Sequence, residues 1–260
     1  MTAIRTGAAL AGMELDRELG SVQLTGAAAQ LFVGWDGFLR ALLSPLATYI
    51  VVAPGIVSGQ LIDDSGYGEN FPHQLVATGP SGFLAPAACL SLYPSLRSYP
   101  LPSSFLTVAR CGRNENGTWD PPFRLRAFTM MELVLAGSRV EVARKREAMV
   151  ELVGETFSRL EIPVRLVTAT DPFFAGARSG ARLIQQIKGL KREYVTALEG
   201  IPPVALCSIN NHERYFADRF GFGDDDTESA CVAFGLERLT AAGLLLWGPT
   251  PDGWPRELRP

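Results

Sequence analysis

The sequence predicts an α+β fold in which a central antiparallel sheet is flanked by helices. Three observations carry this. Strand-like runs cluster between helical stretches without a regular βαβ alternation, which argues against a doubly wound parallel sheet. Two of those runs, residues 104–112 and 123–137, are joined by the short turn-rich link RNENGTWDPP, as consecutive antiparallel strands are. The composition, 47% hydrophobic and 20% charged over 260 residues, suits one globular domain able to bury a substantial core.

In chain order, residues 26–44 read as a mostly apolar helix, and the β-branched run TYIVVAP (48–54) as a strand that stops at proline. Residues 63–74, DDSGYGENFPHQ, are polar and glycine-bearing, the chemistry of a loop. After the two strands at 104–112 and 123–137, residues 139–160 make the clearest helix, with apolar residues at spacings of three and four. Residues 162–170 return to strand. Residues 180–198 read as a further amphipathic helix, basic at Lys188, Lys191 and Arg192. Residues 204–210 are a short buried strand, and ACVAFGLERLTAAGLLLW is a strand running into a helix.

Charge and cysteine usage exclude several classes of function. A net charge of −3 gives no electrostatic footprint for nucleic acid. The longest uncharged stretch, residues 41–62, is interrupted by Pro45, Pro54, Gly55 and Gly59, so it reads as a buried helix and strand and not a membrane span. The N-terminus lacks the features of a signal peptide. Four widely spaced cysteines, Cys89, Cys111, Cys207 and Cys231, favour reduced thiols and a cytoplasmic setting over a disulfide framework.

Several polar residues stand out against this background. Arg113 and Glu115 are two apart at the end of a strand and point to one side, and Arg238 sits on a helix just beyond Gly235. Two arginines and an acid suit recognition of a triphosphate, because guanidinium keeps its charge and grips phosphate oxygens in pairs. Taken alone, Arg-x-Glu reads as a surface ion pair. A Cys–Glu–Cys trio would suit a catalytic metal with one open position, yet spacing does not select Cys89 and Cys231 over Cys111 and Cys207. In RLRAFTM, Arg124, Arg126 and Phe128 share one strand face. Of the two histidines, His73 reads as a structural hydrogen bonder in a loop and His212 as a residue lining the site.

These features have a common source. The ordered series ARCGRNE, RLRAFTMMELVLAG and ACVAFGLERL resembles the second and third signature motifs of class II aminoacyl-tRNA synthetases. It most resembles the amino acid:[carrier protein] ligases, truncated homologues of the zinc-dependent seryl-tRNA synthetases. The segment YIVVAPGIVSGQLIDDSGYGENFPHQL is similar to the family's first motif, and APAACLSLYP to its first zinc-ligand segment. DPFFAGARSGARLIQQIKGLKREY and CSINNHERYFADRFGF resemble later segments, so the likeness runs over residues 45–250. Motif 1 falls at 45–62, motif 2 at 104–137 and motif 3 at 228–248 of a single catalytic domain spanning 1–260.

The resemblance implies a class II synthetase catalytic-domain fold and a set of roles. Cys89, Glu132 and Cys231 would hold zinc. Arg113 would contact the α-phosphate of ATP, Glu115 the adenine side, Phe128 the adenine face and Arg238 the γ-phosphate, with Mg²⁺ balancing charge. Ser208, Asn210 and His212 would line the amino acid site, and the helix over 175–198, with Lys188, Lys191 and Arg192, would dock an acidic carrier. The activity implied is ATP-dependent formation of an aminoacyl-adenylate from a small amino acid, then transfer to the phosphopantetheine thiol of a holo carrier protein. A homodimer would form through the motif 1 strand, including Pro54, and its preceding helix. No tRNA and no membrane partner is expected. Rival readings are a tRNA-charging synthetase and a catalytically silent paralogue. Gly112 stands where the family usually carries an aromatic residue, which implies a looser adenine or ribose pocket, and the short 116–122 link implies the loss of contacts made by a longer motif 2 loop.

Overall fold

A computed structural model describes residues 10–114, 122–169, 189–196, 198, 201 and 203–260. A small hairpin, β1 (Met13–Asp16) and β2 (Ser21–Leu24), precedes helix α1 (Gly26–Leu43). Ala28, Leu31, Trp35, Leu39 and Leu43 of α1 recur at three to four residues and are buried. Strand β3 (Tyr49–Val52) follows and ends before Pro54, which lies just outside it. A second hairpin pairs β4 (Ile56–Ser58) with β5 (Gly82–Leu84).

Two short helices run into the expected loop at 63–74: α2 (Gly59–Asp64) ends at its start and α3 (Tyr67–Asn70) lies within it. Polarity alone misses them because their start is set by a cap: the Ser58 side chain accepts the Leu61 N–H, and Gly66 restarts the chain in the left-handed region at φ 69°.

The central sheet has seven strands in the order β3, β6 (Ser103–Gly112), β7 (Ala127–Ser138), β11 (Thr227–Gly235), β10 (Val204–Glu213), β9 (Lys191–Thr196) and β8 (Val164–Thr168). Every pairing is antiparallel except that of β3 with β6, which is parallel. Helix α4 (Arg139–Arg159) opens on a full capping box between Ser138 and Glu141. Helices α5 (Tyr215–Phe220) and α6 (Leu236–Trp247) complete the elements named here.

The segment 191–196 corrects one expectation. Lys191–Thr196 is strand β9 and not part of a helix; residues 175–188 and 197 of the expected helix lie outside the described residues. The run KREYVT alternates faces, with Arg192 bonded to Glu147 of α4 and Tyr194 bonded to the Val150 carbonyl, while Lys191 and Glu193 face the other way. A period of two wins over the helical spacing once β10 is there to pair with.

The same period sorts the sheet. On β7, Met131, Leu133 and Leu135 join the core cluster that also contains Leu31, Trp35 and Leu39 of α1, Val142 and Phe157 of α4, and Leu239 of α6. Glu132, Val134 and Ala136 point to the opposite face. On β11, Ala230, Val232 and Phe234 join the helix-side core and Cys231 faces away. The long helices α1, α4 and α6 therefore cover one face of the sheet, while the other is only partly covered, by short helices including α5, and also forms a cavity.

Candidate active site

The opposite face carries a cavity of about 610 Å³. Its polar lining includes Cys89, Arg113, Glu132, Ser208, Asn210, Cys231 and Arg238, and Phe128 contributes an aromatic face. Separate stretches of chain build it, with Ser208 and Asn210 coming from β10. The turn after β5 supplies Cys89, the antiparallel pair β6–β7 supplies Arg113, Phe128 and Glu132, and β11 with the first turn of α6 supplies Cys231 and Arg238.

Cys89, Glu132 and Cys231 converge, with donor atoms within 4.8 Å of one another and all three residues buried. Glu132 sits opposite Ala233 on β11, two positions from Cys231, so the two side chains rise from neighbouring strands on one face. The Glu132 carboxylate accepts the Cys89 main-chain N–H at 3.0 Å, and Asn210 Nδ2 lies 3.4 Å from Cys231 Sγ. The Cys89 thiol is pushed well above its ordinary value by its hydrogen bond with Cys231, then by burial and by the Glu132 charge. For Cys231 the hydrogen bond from Cys89 pulls down, but burial and Glu132 outweigh it and the thiol is raised. Both thiols are therefore held protonated in a desolvated corner, and a divalent cation that displaced their protons would find two sulfurs and a carboxylate already converged. Two soft sulfur donors with one carboxylate oxygen suit zinc, with a fourth position left for a substrate.

Arg113 and Phe128 form a second feature. The Arg113 guanidinium lies 5.6 Å from the Phe128 ring centroid, and its Nε donates to the Pro86 carbonyl at 2.7 Å. Arg238 Nε donates to the Phe123 carbonyl at 2.6 Å and Nη1 to the Ala205 carbonyl at 3.1 Å, which fixes its guanidinium at the cavity wall. Glu115 and Lys188 lie outside the described residues.

Of the remaining expected site residues, Ser208 and Asn210 line the cavity and His212 does not. His212 is buried, with Nδ1 at 3.1 Å from both the Tyr93 hydroxyl and Ser229 Oγ, and packs edge-on against Phe216. It stays on the sheet face of Cys231, but Tyr93 and Phe216 fill the space around it and close it off from the cavity. Burial pushes its imidazole down to about 3. Cys111 and Cys207 are buried free thiols outside the convergent trio. Lys191 lines the cavity, whereas the docking role had placed it on an exposed helix face; Arg192 is paired with α4.

The sequence reading missed several lining residues. Tyr67, Asn70, His73 and Gln74 reach the cavity from the short helices and the turn after them, and Tyr67 donates to Gln74 at 2.6 Å. The Ser58 cap was the available signal. Glu237, beside Arg238 in GLER, was also passed over; it is buried and accepts three hydrogen bonds from two strands.

Gly112 has a spatial explanation. A Cβ there would fall 2.4 Å from Leu84 Cδ1, and its N–H donates to the Ala85 carbonyl at 2.9 Å. The hairpin strand β5 occupies the space an aromatic side chain would need.

No protein-family model matches the chain. Two curated proteins of Bradyrhizobium diazoefficiens, amino acid–[acyl-carrier-protein] ligases 1 and 2, are each 33% identical to it over 184 residues, 68% of this chain. The chain spans about half the length of these relatives, 54% of ligase 2 and 56% of ligase 1. Among solved structures, the seryl-tRNA synthetase of M. kandleri in complex with A. aeolicus tRNASec superposes with a TM-score of 0.82 at 18% identity, over 98% of this chain and 59% of that one. The cytoplasmic serine-tRNA ligase of Naegleria fowleri in complex with AMP gives 0.75 at 15% identity over 94% and 62%. Giardia lamblia prolyl-tRNA synthetase in complex with prolyl-adenylate gives 0.74 at 13% identity over 93% and 51%. The catalytic-domain fold of the class II synthetases is therefore the fold of this chain, and its curated relatives are named as carrier-protein ligases. Among the described residues, no helix is long and apolar enough to cross a membrane.

Proposed function

We propose that this relative of the amino acid–[acyl-carrier-protein] ligases activates a small amino acid with ATP and passes the acyl group to the phosphopantetheine thiol of a carrier protein. The observation that carries the reading is a single cavity lined by Cys89, Glu132 and Cys231 together with Arg113, Phe128 and Arg238.

In this reading Cys89, Glu132 and Cys231 hold zinc, which when bound supplies a Lewis acid able to take a neutral α-amine in its open position. Phe128 offers its ring to adenine, with Arg113 beside it for the α-phosphate and Arg238 for the γ-phosphate. The amino acid carboxylate attacks the α-phosphorus, an oxygen–phosphorus bond forms, and pyrophosphate leaves. The two guanidiniums, with Mg²⁺ on the phosphates, offset the negative charge that builds up on the oxygens. The carrier thiol then attacks the adenylate carbonyl and AMP departs, so the protein needs no nucleophile of its own. Ser208 and Asn210 shape the amino acid end of the cavity. A homodimer through β3 and a carrier-docking role for Arg192 and the 175–198 region complete the proposal.

Amino-acid-dependent ATP–pyrophosphate exchange, followed by mass spectrometry of holo and apo carrier protein offered as acceptor, tests it. Exchange with a mass gain on the holo form alone is the expected result. Charging of tRNA instead would support a synthetase, and the absence of exchange with every amino acid in zinc-loaded protein would support a silent paralogue.

A further inference from the structure

Lys191 was expected on a helix and instead stands, with Glu193, in the cavity wall. They form an ion pair at 2.9 Å, and their side chains are only 16% and 17% exposed. Strand register fixes where they stand. Lys191 is paired with Asn210, which is paired in turn with Cys231; Glu193 is paired with Ser208, which is paired with Ala233. Cys231, Asn210 and Lys191 therefore form one lateral row across β11, β10 and β9, on the face that carries Glu132.

Cohesion of the fold does not account for this pair. Both residues belong to the same strand two positions apart, so their attraction joins no two elements. Arg192 between them does that work on the other face, by bonding Glu147 of α4 at 2.7 Å. Two largely desolvated charges that tie nothing together are costly to keep. Their position is explained if the cavity uses them. Beside them, the buried Asn210 Oδ1 has no hydrogen-bond partner, so polar groups of a bound molecule are still missing from this corner.

We propose that the Lys191–Glu193 ion pair is the specificity-determining end wall of the amino acid pocket, admitting short side chains and turning away long ones. The inference rests on the functional reading above. Two interstrand spacings separate Cys231 from Lys191, roughly 10 Å along the sheet. An amino acid whose amine sits at the Cys89–Glu132–Cys231 trio and whose carboxylate turns toward Arg113 directs its side chain along this row. One or two side-chain heavy atoms end short of the pair. A longer apolar chain would strip the remaining water from both charges and return nothing. A longer cationic chain would compete with Lys191 for Glu193, and a longer anionic chain with Glu193 for Lys191. The pair thus rejects all three by holding its own charges together.

The test exploits that symmetry. Lys191→Ala leaves a carboxylate facing the cavity, and Glu193→Ala leaves an ammonium. Exchange rates are measured for glycine, alanine, 2,4-diaminobutyrate, ornithine and glutamate with zinc-loaded wild type and both variants. Lys191→Ala should raise the rate with the diamino acids relative to alanine by at least about tenfold, and Glu193→Ala should do the same for glutamate. A role confined to folding would lower all rates in proportion, and unchanged ratios in both variants overturn the proposal. If wild type shows no exchange with any amino acid, the functional reading fails separately. Titration calorimetry of diaminobutyrate into zinc-loaded Lys191→Ala and wild type then decides the wall itself: tighter binding to the variant supports it, and equal binding overturns it.

Discussion

The carboxylate of Glu237, in the first turn of α6, accepts the main-chain N–H of Thr129 at 2.7 Å and its hydroxyl at 2.9 Å. This contact sits where the sheet loses a strand. The β7–β11 ladder ends at Met130 opposite Gly235, where β11 turns into α6, so the next donor on β7 has no strand to pair with. Glu237 takes its place, and Arg110, the cross-strand partner of Thr129, adds an ion pair at 2.8 Å. Burial raises the Glu237 carboxyl above the ordinary carboxylate range, against the downward pull of the Thr129 N–H and hydroxyl and of Arg110. One side chain therefore fixes the entry of β7, with Phe128 next to Thr129, relative to the helix that carries Arg238.

Glu237→Gln keeps the shape and removes the charge. Hydrogen bonds to a buried charged group contribute about 1.5–3 kcal/mol each, so a stability loss of about 2 kcal/mol is expected in urea unfolding. Because Phe128 and Arg238 would shift relative to each other, KM for ATP should rise by about tenfold while KM for the amino acid holds. Equal changes in both constants would reduce Glu237 to a purely structural role.

The Cys–Glu–Cys trio makes a metal prediction that does not depend on activity. Wild-type protein refolded with zinc should carry about one metal per chain, and Cys89→Ser or Cys231→Ser should lose it, as measured by elemental analysis after exhaustive dialysis. Both thiols are raised in the metal-free protein, so binding must displace protons. Zinc affinity should therefore climb as pH rises from 6 to 8, and a flat pH dependence in a chelator competition would argue against thiolate ligation. Amino acid activation should disappear in the serine variants.

His212 sets an acid limit on stability. Its ordinary value is near 6.5 and burial lowers it to about 3 in the fold, so between those two pH values the unfolded chain binds a proton that the folded chain refuses. Stability then falls as pH drops through this window. This one residue should cost about 2 kcal/mol at pH 5 relative to pH 7. Comparing urea midpoints of wild type and His212→Gln at both pH values isolates the term: the variant should be less stable at pH 7 and lose less on acidification. An identical acid loss in both proteins would refute it.

The edge of the sheet offers a test of assembly. Ile50 and Val52 on β3 are 64% and 84% exposed, and Ile56 beyond the strand is 56% exposed. An apolar edge strand invites pairing with a second chain. Val52→Lys combined with Ile50→Lys should convert a dimer to a monomer in sedimentation velocity, with little change in thermal stability at low concentration. A monomeric wild type would dispose of the proposed homodimer.

What was legible in the sequence follows the strength of local signals. Helix α4 announced itself through its apolar spacing, and β7 and β11 through their strand-like apolar runs. The motif likeness named Cys89 where spacing could not, because that residue comes from a turn whose position depends on the β4–β5 hairpin. Lys191 and His212 were misplaced because tertiary neighbours decide their surroundings: β10 draws Lys191 into a strand, and Tyr93 and Phe216 cover His212, and no window of sequence contains those partners. Glu237 went unnoticed because an acid in a first helical turn is ordinary; only the ending of β11 makes it a substitute for a strand.

Gly112 allows a departure from the family pattern to be tested as packing. Its backbone φ is not in the left-handed region, so the glycine is kept for space alone. Leu84 Cδ1 and Cβ stand 2.4 and 2.8 Å from where a Cβ would be. Gly112→Ala should therefore cost about 1–3 kcal/mol, the usual penalty for overpacking, and Gly112→Phe more. Leu84→Ala should be destabilising by itself through its lost contacts with the hairpin. Combined with Gly112→Ala it should recover part of the loss, giving a coupling of about 1 kcal/mol in a double-mutant cycle by urea unfolding. Additive effects would mean that the hairpin moves away freely and that Leu84 does not dictate the glycine. A measured coupling would make the missing aromatic a consequence of how β5 covers the end of β6, and KM for ATP in Leu84→Ala would then report how much of the nucleotide pocket that cover shapes.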